Sequence, residues 1–205
     1  MAHKFYELLF SDAVKRVQEE YGSRRQYEKI AARGERNSVL TDAETDFIEN
    51  ADGFYLATVG EAGWPYIQYR GGPRGFLKVI DEKTLGFADF RGNLQYISAG
   101  NLRGNDRAAL FLMDYANRRR LKILAETEVR AATDAPELFE KLRDENYEAT
   151  VERVFIFRVA AFDWNCPQHI TPRYTIDEIK SMVRPMNEYI EKLEREIAEL
   201  KAGKL

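Results

Sequence analysis

Positively charged side chains gather in one part of this 205-residue sequence, and phosphate chemistry is what such a gathering suits. Arg70, Arg74, Lys78, Arg91 and Arg103 lie between positions 66 and 103, and Arg118, Arg119, Arg120 and Lys122 come on the next segment. A guanidinium pairs with phosphate through two parallel hydrogen bonds, so arginines converging on one loop suit a phosphorylated ligand. The same residues also read as solvated charges on alternating strand faces, and charge alone favours that blander reading. The heptapeptide Trp164-Asn165-Cys166-Pro167-Gln168-His169-Ile170 is a second place for chemistry. Its imidazole titrates near neutrality and suits proton transfer. A lone histidine is nevertheless more often structural, and a lone cysteine more often a small apolar residue.

The elements that must position these residues can be read from the pattern around them. Residues 66–70 alternate as a strand, Gly71-Gly72-Pro73 breaks it, and residues 76–80 resume before the polar turn Asp81-Glu82-Lys83-Thr84. That predicts two short strands around a bend, with a hairpin turn after them. Residues 85–90 predict another strand, Gly92-Asn93 punctuates it, and Leu94, Ile97 and Leu102 share one face of a short helix. A strand, a tight loop and a helix N-terminus bring unpaired backbone N–H groups together where an anion binds.

In order and spacing, FLKVIDEKTLGFADFRGNLQY, NLRGNDRAALFLMDY and NRRRLKILAETEV resemble the flavin-binding core of the pyridoxamine 5'-phosphate oxidase family, the FMN-binding split barrels. The resemblance covers about residues 54–130. It implies a mainly β fold with flanking helices and a homodimer with FMN at two equivalent interface sites. The cofactor-binding positions it implies are Arg70, Arg74, Gly75, Phe76, Leu77 and Lys78 on the basic stretch, then Phe87, Ala88 and Asp89 on the aromatic strand. To these it adds Arg91, Gly92, Asn93 and Gln95 at the helix start, and Arg120 on the hairpin strand. In the oxidases the last strand and the segment after it reach flavin bound mainly by the other subunit. Trp164, Gln168 and Arg173 are the counterparts here, with His169 as the catalytic candidate.

Several departures bear on the substrate. The terminal Arg-Leu-His-Asp-Arg type sequence that holds the vitamin phosphate is absent, and Asn93-Leu94 replaces the basic pair at the helix start. The interval from Arg74 to Lys78 is four residues rather than five, and Arg120 stands where the family has Gln. The expectation is therefore an FMN-dependent oxidoreductase acting on some other small molecule, with NADH or NADPH as a candidate donor. The rivals are a flavin-binding sensor or storage protein without turnover, and a split barrel holding haem through His169 or a deazaflavin. A single cysteine and two histidines leave no ligand set for a structural zinc.

Around this core the chain reads as one sizeable domain with helical additions. A net charge of -3 gives no general attraction for nucleic acid or an anionic membrane. No apolar run is long enough to span a bilayer, and the first residues lack the apolar core of a signal peptide, so a cytoplasmic protein is expected. The organisation predicted is an N-terminal helical segment over 1–53, the FMN-binding barrel over 54–165, and a C-terminal loop and amphipathic helical arm over 166–205. In the first segment a helix begins at Ser11 or Asp12 and stops at Gly22, residues 22–37 form a polar surface excursion, and Thr41 with Glu44 makes a capping box. Residues 54–59 open the first hairpin, whose turn carries Trp64 as a packing residue. Leu138, Phe139 and Leu142 mark a later helix, and residues 151–162 the closing strand of the barrel.

In the tail, Ile176, Ile179, Val183, Met186, Ile190, Leu193, Ile197 and Leu200 step by threes and fours, which is coiled-coil spacing. Pro185 predicts an interruption into two helical pieces. Glu188 with Lys192, and Glu191 with Arg195, predict exposed i,i+4 pairs. The tail is read as an arm that clasps a second subunit, the alternative being a helix lying on its own barrel.

Overall fold

Side chains that alternate in and out along seven segments build one antiparallel sheet. In this computed structural model, which describes residues 3–33, 37–164 and 167–202, the strands are β1 (Gly53–Val59), β2 (Pro65–Gly71), β3 (Lys78–Asp81), β4 (Thr84–Phe90), β5 (Arg107–Asp114), β6 (Arg119–Ala131) and β7 (Val151–Trp164). Their order is β2-β1-β5-β6-β7-β4-β3. Cys166, the lone cysteine, lies outside the described residues, as does Asn165, where the expected barrel domain ends. The helices are α1 (Lys4–Leu9), α2 (Asp12–Glu20), α3 (Arg24–Arg33), α4 (Asp42–Glu49), α5 (Ile97–Gly104), α6 (Pro136–Leu142) and α7 (Ile176–Ala202). The chain divides into two compact units, Met1–Asp114 with Arg119–Pro167, and Tyr115–Arg118 with Gln168–Leu205.

The sheet of the first unit curves round an aromatic core. Phe54 on β1, Phe87 on β4, and Phe155 and Phe157 on β7 are fully buried. Phe54 meets the Phe87 ring edge-on at 5.5 Å, and Phe87 stacks on Phe155 at 5.0 Å. Strands β1 and β4 are not neighbours in the sheet, so this contact means that its two ends approach each other across a shared interior. Burying one such phenyl group contributes roughly 1.5–3 kcal/mol. The other face of β4 packs under α6, where a Cβ added at Gly86 would meet both Leu142 methyls at 3.0 Å.

Some expectations hold and others are corrected. Residues 66–80 form the two expected strands with the hairpin turn after them, but β2 and β3 lie at opposite edges of the sheet, so the break between them is a crossing connection. Phe76 and Leu77 belong to the connection between them and fill the core, while Gly75 turns with φ +77. The strand expected over 151–162 forms as β7, which runs on to Trp164 and joins β4 to β6. Within 22–37 the helix α3 forms despite its polarity. Arg24 pairs with Glu28 at 3.1 Å, and Tyr27 packs edge-on against Tyr6 and Phe10. Trp64 is 80% exposed at the β1–β2 turn and packs no core.

In the second unit α7 runs through Pro185 as one helix. Its i,i+4 ion pairs include Arg184 with Glu188 and Lys192 with Glu196 in place of the expected ones, and Lys180 pairs with Asp177 at 3.4 Å.

The capping box forms as expected and does more than cap. The Glu44 carboxylate accepts from the Thr41 N–H at 2.9 Å and from its hydroxyl, and its other oxygen accepts from the Trp164 indole N–H. One side chain thus fixes the start of α4 and the end of β7. Burial pushes the Glu44 carboxyl up, but the hydrogen bonds from Thr41 and Trp164 outweigh it and hold the group below its ordinary value of 4.5. A depressed carboxyl adds stability that is present above the ordinary value and lost as pH falls through the folded-state one. Unfolding by urea across an acid series is therefore expected to show wild-type stability declining below pH 4.5, with a shallower decline in Glu44→Gln. Parallel slopes for the two proteins would remove Glu44 from this role.

Candidate functional site

Strand β2 has its faces reversed relative to an ordinary half-buried strand. Its register against β1 pairs Arg70 with Phe54, Gln68 with Leu56 and Tyr66 with Thr58. The partners on β1 are buried, so the inward row of β2 is polar. Its outward row carries Ile67 and Tyr69, which are 63% and 56% exposed. Polar groups turned inward need partners, and these come from across the seam where the sheet ends meet.

At that seam Arg70 Nη1 donates to Asp89 Oδ1 at 2.8 Å, and Arg153 Nη1 lies 3.5 Å from Asp89 Oδ2. Arg153 also donates to Glu152 at 2.6 Å, and Glu152 lies 3.5 Å from Arg91 Nε. Gln68 Oε1 accepts from the Ser98 hydroxyl on α5 at 3.3 Å. Three guanidiniums thus meet two carboxylates, which leaves one positive charge over, and Arg91 is the most exposed member. The Arg70 guanidinium also lies 5.4 Å from the Phe155 ring, so the network caps the aromatic core. Burial pushes the Asp89 carboxyl up while Arg70 and Arg153 draw it down, and the same burial lowers Arg70. Each charge is tenable there only because the other is present.

Above the network runs the loop 91–96, which joins β4 to α5. Leu94 and Tyr96 adopt left-handed backbone conformations with φ of 63° and 54°. Such conformations in residues other than glycine cost of order 1–3 kcal/mol and persist where the surroundings impose them. Here the Tyr96 hydroxyl donates to Glu152 at 3.2 Å and Arg153 lies over its ring at 4.4 Å. Asn93 Oδ1 accepts from the Gln95 N–H at 3.2 Å, which closes the turn. Residues 91–96 are otherwise exposed, with α5 beginning directly after them.

The expected site residues fall into five groups. Arg70, Asp89, Arg91, Gly92, Asn93 and Gln95 come together at the seam and its loop. Phe76, Leu77, Phe87 and Ala88 are buried, leaving only their backbone for a ligand, and Gly75 turns the loop that brings in the first two. Arg74 is exposed on that connection and Lys78 is half-buried at the start of β3, opposite Gly86. Arg120 and Trp164 lie elsewhere on the barrel. Arg120 pairs with Met113 across β5 and β6. Trp164 packs on Phe47 at 4.8 Å, at the opposite end of β7 from Arg153, roughly 35 Å along a strand that rises ~3.3 Å per residue. Gln168, His169 and Arg173 belong to the second unit, where His169 has φ +62 and Arg173 lies over the Tyr115 ring at 4.9 Å.

Sequence reasoning missed Glu152, Arg153, Tyr96, Gln68 and Ser98. The available signal was an adjacent charged pair, Glu152-Arg153, at the head of a largely apolar strand.

FMN fits the donor set on two observations. The network carries a surplus cation beside an exposed loop, and the Nε atom of Arg70 is buried without a partner. The seam also makes a stability prediction. Asp89→Ala leaves two buried guanidiniums facing each other, at a cost of about 3–5 kcal/mol in denaturant unfolding. Adding Arg70→Met to Asp89→Ala is expected to recover much of that loss. Additive losses in the double variant would mean that the pair is not coupled.

The sequence model of the pyridoxamine 5'-phosphate oxidase family matches residues 40–165, more than half of the chain. No curated protein is detectably similar in sequence. Among solved structures, a putative pyridoxamine 5'-phosphate oxidase from Lactobacillus delbrueckii is 20% identical at a TM-score of 0.48, over 62% of this chain and 94% of that one. An FMN-binding protein from Syntrophomonas wolfei is 14% identical at 0.45, over 75% and 97%. HupZ from Group A Streptococcus is 19% identical at 0.47, over 66% and 99%. With the family match running from just before α4 to the end of β7, the chain belongs to the pyridoxamine 5'-phosphate oxidase family and has its split-barrel fold.

Proposed function

We propose that the chain is an FMN-dependent oxidoreductase of the cytoplasm, working as a homodimer on a small organic molecule with NADH or NADPH as donor. The observation that carries this reading is the cation-rich seam network beneath the strained, exposed loop 91–96. A strand-to-helix loop over a surplus guanidinium suits a ligand phosphate. Arg91 supplies the accessible charge, Asn93 and Gln95 the amide donors, and Arg153 holds Tyr96 in the conformation that presents them. Bound flavin supplies the hydride or electron transfer, and the protein supplies orientation and electrostatics. We assign proton transfer to His169, whose side chain is exposed. The apolar outward row of β2, continued on β1 by Tyr55 and on β5 by Phe111, supports a second copy covering that face.

The test is titration with FMN, monitored by absorbance and flavin fluorescence, then desalting. One FMN per chain is expected, and Arg91→Ala and Asn93→Ala are each expected to weaken binding. Loss of a charge-assisted hydrogen bond is worth about 1.5–3 kcal/mol, or roughly 10–100-fold in Kd for Arg91→Ala. Rapid reduction of the bound flavin by NADH or NADPH would support an enzyme, and slow reduction by both a sensor or storage protein. A colourless protein retaining no FMN at micromolar concentration, or one with a Soret band, would overturn the cofactor.

A further inference from the structure

We propose that α7 is one strand of a parallel, two-stranded coiled coil formed with the same helix of a second copy of this chain. The helix has 27 residues, which at ~1.5 Å per residue makes it roughly 40 Å long. None of them is buried. Along one side runs an apolar stripe whose side chains are between 36% and 72% exposed.

The stripe has a definite internal order. In heptad notation the a positions are Ile176, Val183, Ile190 and Ile197, all branched at Cβ. The d positions are Ile179, Met186, Leu193 and Leu200, of which all but the first are unbranched at Cβ. Branched residues at a with leucine at d pack best as two parallel strands, because of how each knob enters the hole opposite it. The charges at the flanks agree. In a parallel pair, Glu196 at g reaches Lys201 at e of the partner helix. A fully overlapping antiparallel pair would instead set Lys180 near the partner's Lys201, both at e, and like charges there are unfavourable.

Pro185 falls at position c, away from the seam, so the carbonyl it leaves without a donor faces water. That placement accounts for a proline inside an unbroken helix. Neither a nor d holds a polar residue, and the repeat of seven is kept over the whole helix, which gives the pair a left-handed supercoil.

This inference needs no flavin and shares with the functional reading only the assembly of two chains. The test uses the full-length chain with Cys166→Ser as background. Leu193→Cys, Leu200→Cys and, as an outward-facing control, Arg195→Cys are each oxidised mildly and run on a non-reducing gel. In a parallel pair each d residue faces its own counterpart, so both seam variants are expected to give at least tenfold more disulfide-linked dimer than the control. Adding Ile190→Asp should bring the Leu200→Cys product down to the control level. Sedimentation of the unmodified chain separates the two readings. A dimer in which Leu200→Cys links no better than Arg195→Cys overturns the helix pairing and leaves the barrel assembly standing. Linkage between Ile176→Cys and Leu200→Cys chains, without self-linkage of Leu200→Cys, shows an antiparallel pair and overturns the orientation. A monomer overturns both readings.

Discussion

The fold closes through one buried charge interaction, the Asp89 carboxylate shared by Arg70 and Arg153. Strands β2 and β4 meet with no backbone ladder between them. Side chains must therefore hold that side, and the inward row of β2 is polar where the rest of the interior is aromatic. Charges taken out of water are costly, and their attraction repays the cost only when geometry is good and remaining donors are met. Asp89 sits at the end of the row Leu85, Phe87, Asp89, so the carboxylate is where the core runs out. The candidate site and the closure of the barrel thus share Arg70, Asp89 and Arg153. A ligand bound above the loop would stand on groups that also hold the sheet ends together.

Reversal of β2 ties that seam to the outer surface. Side chains alternate strictly along a strand, so turning Tyr66, Gln68 and Arg70 inward necessarily turns Ile67 and Tyr69 outward. A shift of one residue in register would bury the apolar pair and expose the arginine, which would satisfy this strand alone. The register is held instead by Arg70 on Asp89 and by Gln68 on Ser98. An apolar outward row and a polar inward row thus have one cause.

Local features of this fold were legible in the sequence. The Thr41 to Glu44 capping box, the Gly92-Asn93 break and the spacing of α7 depend on residues a few positions apart, and all three are found. Long-range contacts were not legible. Arg70 meets Asp89 across strands that are not hydrogen-bonded neighbours, and Trp164 reaches Glu44 from 120 residues away. Phe76 and Leu77 resemble strand residues by type, yet they plug the core from a loop whose path is set by Gly75 and by β3 crossing to the far edge. Pro185 by residue type alone suggests a break, whereas α7 runs through it. The charged residues of 66–103 were recognisable as a group, but which of them converge depends on β7, whose Glu152 and Arg153 lie far along the chain.

The sheet order also governs the sequence of events during synthesis. Strands β3 and β4 form a local hairpin, but β4 gains its second neighbour only when β7 emerges about 60 residues later. At the ~5–20 residues per second of translation this leaves a bare edge for roughly 3–12 s. Strand β1 waits similarly for β5. Two half-made ribbons, β1 with β2 and β3 with β4, therefore exist side by side on the nascent chain before anything joins them. Both are rich in aromatic residues, and in that interval their open edges are available to chaperones or to one another.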